Sequence, residues 1–272
     1  MPTVTRAGRN IHYSRVGEGP GVVLVPGLGA GSKLFGTLPR RFAKLGFSCA
    51  TLDPVGIAPS DPLPGGRYSF DDAAQDVLTV ARLLQPPCAL VGTSLGGKVA
   101  LRAARMAPDV VSALVMLCSS AIATARSRRI HRMFELLSCE APAACFGELM
   151  APFLFGATFL ATHEQVVNDI LRGMKPDDAG RAFMRAQAHA LQQYDGVDDA
   201  EHCTVRTLCL AGAEDTLTDP ADVETTSKLI PLAQCRTIAD AGHSLLLESS
   251  AAYGDVIAFL SGHGTPPAKV SE

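Results

Sequence analysis

The chain contains no tryptophan, and aromatic residues make up only 6% of its 272 positions. Stacking on a ligand therefore falls to phenylalanine or tyrosine. No apolar run approaches the eighteen or so residues that a membrane helix requires, so no membrane partner is expected. The opening Met1-Pro2-Thr3-Val4-Thr5-Arg6 lacks the apolar core of a secretory signal. Basic residues are not in excess: 24 Lys and Arg stand against 27 Asp and Glu, a net charge of −3. A broad nucleic-acid surface is not indicated. No Cys-x-x-Cys pair occurs among the eight cysteines. Cys49, Cys88, Cys118, Cys209 and Cys235 fall in predicted strands, where they act as small buried hydrophobes. These absences predict a reduced, cytoplasmic protein with neither disulfides nor a metal framework. No phosphate loop and no internal repeat appear, and no cofactor is implied.

Hydrophobic residues make up 47% of the chain, enough for a large core. Thr3–Arg6 and Asn10–Val16 predict a hairpin around Gly8. Val22–Val25 is an apolar strand that runs into a glycine-rich loop, Pro26-Gly27-Leu28-Gly29-Ala30-Gly31. Leu34–Leu45 is a helix interrupted early by Pro39, and Phe47–Leu52 a strand ending at Asp53. Ser69 and Asp72 give a capping signal for a helix with Ala73, Ala74, Val77, Val80, Ala81 and Leu84 on one face. Cys88–Val91, Ala113–Cys118, Val205–Leu210 and Gln234–Ala239 are further strands, Leu95–Met106 and Ser249–Leu260 further helices, and Gly262 is a stop. Apolar strands without polar alternation, interleaved with helices, predict an α/β protein with a mostly parallel, doubly wound sheet covered on both faces. Between 119 and 202 the rhythm becomes purely helical, with Ser127–Ser138, Ala141–Phe155, Glu164–Leu171 and Asp178–Tyr194 as helices. The predicted organisation is a core of 1–118 and 203–262, a helical cap of 119–202, and a flexible tail of 263–272.

Ligands in such sheets bind beyond the carboxyl ends of the strands. One of those ends carries Gly92-Thr93-Ser94-Leu95-Gly96-Gly97, a Gly-x-Ser-x-Gly pattern between a strand and a helix. That spacing suits a serine exposed on a tight corner, with helix N–H groups aimed at the same spot. A serine hydroxyl is a weak nucleophile near neutral pH and needs a base, which itself needs an orienting group. Of the seven histidines, only His243, in Ala241-Gly242-His243-Ser244, follows the last strand directly. After the penultimate strand comes Ala211-Gly212-Ala213-Glu214-Asp215, and Asp219 lies close behind. Asp215 is the chosen acid, with Glu214 and Asp219 as competitors. The strand after the serine helix ends in Leu117-Cys118-Ser119-Ser120, which offers no carboxylate.

Four blocks carry a resemblance: Val25-Pro26-Gly27-Leu28-Gly29, Gly92 to Gly97, Leu210 to Asp215, and Ala241-Gly242-His243. On them the chain resembles the α/β-hydrolases over nearly its whole length. It looks most like the small cap-bearing enzymes similar to 3-oxoadipate enol-lactonase and related esterases. Gln187 to Asp195 resembles the end of that subgroup's cap. The resemblance implies Ser94 as nucleophile, His243 as general base and then acid, and Asp215 as its orienter. It places the oxyanion hole at the backbone N–H groups of Leu28 and Leu95.

The sequence departs from the family twice. Pro26-Gly27 replaces the usual His-Gly, so the support of the first loop is expected to differ. Asp53-Pro54-Val55-Gly56-Ile57-Ala58 lacks the arginine and second glycine of the usual Arg-Gly-x-Gly, so its structural role must be met otherwise.

In the cap, Arg128 and Arg129 are candidates for binding a substrate carboxylate, set against the reading of a solvated helix face. Phe134 and Phe153 are candidates for lining an apolar pocket. The expected function is hydrolysis of a small, largely apolar ester or lactone through an acyl-enzyme. Carbon–carbon bond hydrolysis, acyl transfer or lactonisation by the same residues is the alternative, and a non-catalytic ligand-binding module the remote one. The expected partner is the small-molecule substrate, and a homodimer is left open.

Overall fold

A computed structural model of the chain describes residues 2–262. The tail expected at 263–272 lies outside the described residues. The hairpin is formed by β1 (Thr3–Arg6) and β2 (Arg9–Val16), turning through Ala7 and Gly8, both at positive φ. β3 (Gly21–Val25), β4 (Ser48–Asp53), β5 (Cys88–Thr93), β6 (Val111–Leu117), β7 (Thr207–Gly212) and β8 (Ala233–Ile238) complete one eight-stranded sheet. Its order is β1-β2-β4-β3-β5-β6-β7-β8. The pairs β1/β2 and β2/β4 are antiparallel and all the others parallel.

Alternate residues of each central strand feed opposite cores. Val23 and Val25 of β3, Leu90 of β5 and Met116 of β6 join one core with α2 (Phe70–Ala81) and α3 (Leu95–Met106). Val22, Leu24, Val91 and Val115 join the other with α1 (Leu38–Lys44) and the last helix, Ser250–Leu260. Both faces are covered, which is why these strands read as unbroken apolar runs. Pro39 falls in the first turn of α1, where its missing N–H costs nothing, so it starts that helix and does not interrupt it. Ser69 caps α2 by accepting from the Asp72 N–H.

Two cysteine expectations change. Cys118 lies one residue past β6, at φ +48°. Cys235 is exposed, because β8 is the edge strand and most of its residues face outward.

Between β6 and β7 lie only helices: α4 (Ala125–Glu140), α5 (Phe146–Leu154), α6 (Ala157–Thr162), α7 (Glu164–Gly173), α8 (Asp178–Gln193) and α9 (Val197–Glu201). They have apolar clusters of their own, one around Phe134, Phe146 and Met184, the other around Phe155, Phe159 and Leu171. The short α6 and α9 escape the sequence reading, as do α10 (Pro220–Leu229) and the one-turn α11 (Leu245–Glu248) that precedes the last helix, α12. Among the described residues no helix is long and apolar enough to cross a membrane.

At the corner between β5 and α3 backbone meets backbone closely. A Cβ on Gly92 would stand 2.3 Å from the Gly96 carbonyl oxygen, and one on Gly96 2.2 Å from that of Val25. Both obstacles are backbone and cannot swing aside. Gly96→Ala should therefore destabilise the protein by about 3 kcal/mol, the upper range for overpacking, as read from urea denaturation. An unchanged midpoint would show that α3 sits further from β3 than described.

Candidate active site

Ser94 occupies the corner at φ 55°, ψ −122°, a conformation that non-glycine residues adopt only under constraint. Its N–H donates to the Leu117 carbonyl at 2.8 Å, and its carbonyl accepts from Gly97 N–H. The backbone is thus pinned on both sides, and the residue is placed immediately before the first turn of α3. The next N–H, that of Leu95, is a free helix-terminal donor. The Leu28 N–H is also without a hydrogen bond among the described residues.

The loop carrying Leu28 is held where the sequence analysis expected different support. Gly29 N–H donates to the Gln187 side-chain oxygen at 2.7 Å, and Gln187, on α8, is fully buried. Ser32 N–H donates to Asp53 Oδ1 at 2.7 Å, while Asp53 Oδ2 pairs with His12 Nδ1 at 2.6 Å. Ser60 Oγ donates to the Asp53 carbonyl and accepts from His12 N–H. His12 and Ser60 thus hold the β4 end in a segment that lacks the family's arginine.

Of the three competing carboxylates, one meets the histidine. Asp215 Oδ2 accepts from His243 Nδ1 at 2.8 Å, and Oδ1 accepts from the N–H groups of Leu217 and Thr218 at 2.8 and 2.9 Å. Burial pushes the Asp215 carboxyl up, but the His243 ring and the two N–H groups outweigh it and hold the group below the ordinary carboxylate range. Asp215 is therefore ionised at neutral pH. An ionised carboxylate only accepts, so His243 carries its proton on Nδ1 and leaves Nε2 free as a base. Glu214 accepts instead from Thr158 N–H and Oγ1 on α6. Asp219 caps α10 through Ala221 N–H. No hydrogen bond joins Ser94 Oγ to His243 among the described residues, and such contacts commonly tighten only with substrate bound.

Cys118 was no part of the sequence constellation, yet its Sγ, the Asp215 carboxylate and a His243 nitrogen lie within 4.8 Å of one another. The set fits an acid–base pair better than a metal. Asp215 already accepts three hydrogen bonds, and burial pushes the thiol far above its usual range, so it stays protonated.

Ser94, Leu28 and Leu95 open onto a cavity of about 40 Å³, room for only a few waters. Ser127, His131 and Phe134 of α4 line it. These positions are spaced i, i+4, i+7, one face of a helix. Arg129 falls on the opposite face and Arg128 about a quarter turn round; both are exposed and neither lines the cavity. Phe153 also stands outside the lining. It packs edge-on against Phe134 with ring centroids 6.1 Å apart, as a second layer.

Sequence reasoning also missed Lys98, Gln187 and Glu248. Lys98 had one signal, a cation one helical turn after Ser94 on an otherwise apolar face of α3.

An eight-stranded, mostly parallel sheet with this serine corner and this Asp–His pair at its carboxyl edge is the α/β-hydrolase fold. A family model described as "Serine aminopeptidase, S33" matches residues 20–250, and the chain belongs to that family of hydrolases. It is an α/β-hydrolase enzyme. The chain is 30% identical over 211 residues to "Putative carbamate hydrolase RutD" of Variovorax paradoxus, covering 76% of this chain and 79% of that protein. It is 27% identical over 266 residues to the pimeloyl-[acyl-carrier protein] methyl ester esterase of Stenotrophomonas maltophilia, covering 92% and 98%. The enol-lactonase of Burkholderia xenovorans superposes with a TM-score of 0.84 at 20% identity, over 96% of this chain and all of that one, a likeness of fold.

One carboxylate ties the histidine loop to the inserted helices. Glu248 accepts from the N–H groups of Gly242, Ser244 and Gly156 at 2.7, 2.9 and 2.9 Å. Glu248→Gln would turn an amide donor toward N–H groups that need an acceptor. The substitution should cost about 3 kcal/mol, with faster hydrogen exchange at Gly156 and Gly242. Unchanged stability and protection would show that the carboxylate does not hold the two segments together.

Proposed function

We propose that this enzyme hydrolyses a small carboxylic ester or lactone through Ser94, His243 and Asp215. The observation that carries the reading is the ionised Asp215 fixed on His243 Nδ1 at the sheet edge where Ser94 stands. His243 Nε2 takes the Ser94 proton as Oγ attacks the substrate carbonyl. The resulting oxyanion accepts from the Leu28 and Leu95 N–H groups, donors of a kind typically worth about 10²–10³ in rate each. Collapse breaks the bond to the leaving oxygen, which receives the proton from His243. Water, deprotonated by the same nitrogen, then releases the acid and restores Ser94. Residues 119–202 act as the cap over a core of 1–118 and 203–262. Because the cavity holds only a few waters, substrate entry displaces cap side chains around Phe134 and Leu191. The relatives named for ester and carbamate hydrolysis support this class of reaction.

Ser94→Ala should lower turnover of a short-chain ester by roughly 10⁶-fold, the scale seen when such a nucleophile is lost. A fluorophosphonate should add its mass to the wild-type chain and leave the variant unlabelled. Undiminished hydrolysis by the variant would sink the assignment.

The oxyanion loop gives a second test. Gln187→Met removes the acceptor for Gly29 N–H, one residue from the Leu28 donor. It should lower kcat by up to about 10²-fold, the size of a slight misplacement, with KM little changed and the circular dichroism intact. Equal kcat would leave the loop to its other anchors.

A further inference from the structure

The cavity beside Ser94 contains a cation that the hydrolysis itself does not use. Lys98 lies one turn after Ser94 on α3, and only 8% of its surface is exposed. Its Nζ donates to the Ser120 carbonyl oxygen and lies 4.7 Å from the centroid of the Tyr194 ring. An ammonium has three N–H donors, and among the described residues the Ser120 carbonyl is its one hydrogen-bond partner. Asp222 lines the same cavity but, among the described residues, makes no salt bridge or hydrogen bond to Lys98. That carboxylate sits in the first turn of α10 and accepts from Thr124 Oγ1 at 3.5 Å. His131 faces Lys98 from α4. Burial and the neighbouring ammonium push its ring down to about 4, so it is neutral and its Nδ1 has no partner. Lys98 is thus the single positive charge in the lining. Burial pulls its own pKa down to about 8, against the attraction of Asp222, which leaves it mostly charged at neutral pH.

A buried ammonium with unmatched donors is unfavourable unless something pairs with it. A methionine would fill the same space without that cost. The side of the substrate it would meet is set by His243. The leaving oxygen must lie against His243 to receive its proton, and His243 does not line this cavity, whereas both oxyanion donors border it. The cavity therefore takes the acyl part.

We infer that Lys98 is a specificity residue that receives a carboxylate on the acyl chain, so that the preferred substrate is a half-ester of a short dicarboxylic acid. This rests on the hydrolase reading above and narrows it, replacing the exposed Arg128 and Arg129 as the source of positive charge.

The test compares kcat/KM for monomethyl adipate and methyl hexanoate, which share a six-carbon acyl chain and differ in the terminal carboxylate. Wild type should favour the half-ester at least tenfold, and Lys98→Met should lower that ratio at least tenfold. Lys98→Arg should restore part of it. A ratio unchanged by Lys98→Met, or a wild-type preference for the neutral ester, would overturn the inference. Should Lys98→Met fail to fold, the wild-type enzyme still decides: adipamate should slow fluorophosphonate labelling of Ser94 at least tenfold more effectively than hexanamide, and equal protection would overturn the inference. The two readings fail differently. If the hydrolase reading fails, neither ester turns over and Ser94 is not labelled. If only the Lys98 assignment fails, both reactions proceed without the anionic preference.

Discussion

Backbone crowding where β5 meets α3 governs the geometry of the site. The chain passes so close to itself and to β3 that positions 92, 96 and 97 admit no side chain. A Cβ on Gly97 would lie 2.5 Å from the Ser119 side chain, beside the backbone clashes at Gly92 and Gly96. The residue at the apex is thereby forced into positive φ. A side chain on such an apex projects away from the sheet, and the first N–H of the following helix is left without an intrahelical partner. An exposed hydroxyl and an adjacent anion-stabilising donor thus arise from one constraint. The remaining parts of the site only have to reach the same sheet edge, and parallel topology brings them there, because every β-to-α loop emerges on that side.

The acid illustrates how local hydrogen bonding sorts like residues into different roles. Glu214, Asp215 and Asp219 lie within six positions, and composition does not distinguish them. Asp215 turns inward, where two backbone N–H groups and His243 keep a buried carboxylate charged. Glu214 points outward to α6, and Asp219 starts α10. The inward one orients an imidazole because burial strengthens its interaction with the ring. The outward ones contribute to the placement of neighbouring helices.

What was legible in the sequence follows from how far each signal reaches. That Ser94, Asp215 and His243 share one sheet edge was legible because each follows a predicted strand, and strand order alone predicts that such residues share an edge. The loop that carries Leu28 was legible through its glycines after β3. Gln187 was not, since nothing near α8 shows that its side-chain oxygen crosses to Gly29, 158 positions away. Glu248 was hidden for the same reason, as its partner Gly156 lies 92 positions off. Arg128 and Arg129 stood as candidates beside the reading of a solvated helix face, and their exposure agrees with that second reading. Charge alone does not tell which face of α4 is turned inward, whereas the stripe of Ser127, His131 and Phe134 does. Cys235 was misjudged because its strand is the edge of the sheet, which an apolar pattern does not reveal.

The inserted helices and the loops that carry Leu28, Glu214 and His243 are bound together by contacts that all cross the same boundary. Gln187 holds the loop of Leu28, Glu214 holds α6, and Glu248 joins Gly156 to the loop of His243. Ser244 N–H adds a bond to the Leu154 carbonyl at 2.9 Å. Each pairs a group next to the reaction with a group from the insertion. A segment that merely covered the cavity would need apolar contact only. Here hydrogen bonds cross the boundary in both directions: Gln187 and the Leu154 carbonyl of the insertion accept from core loops, among them the glycine loop that lacks the family's histidine, while Glu214 and Glu248 of the core accept from Thr158 and Gly156. The departures at Pro26 and Val55 are therefore met from elsewhere in the fold: His12 and Ser60 from the β4 side, and Gln187 from the insertion. The geometry of the Leu28 loop and of His243 consequently depends on how the insertion is seated, and a change at α8 or at Gly156 reaches both without touching either.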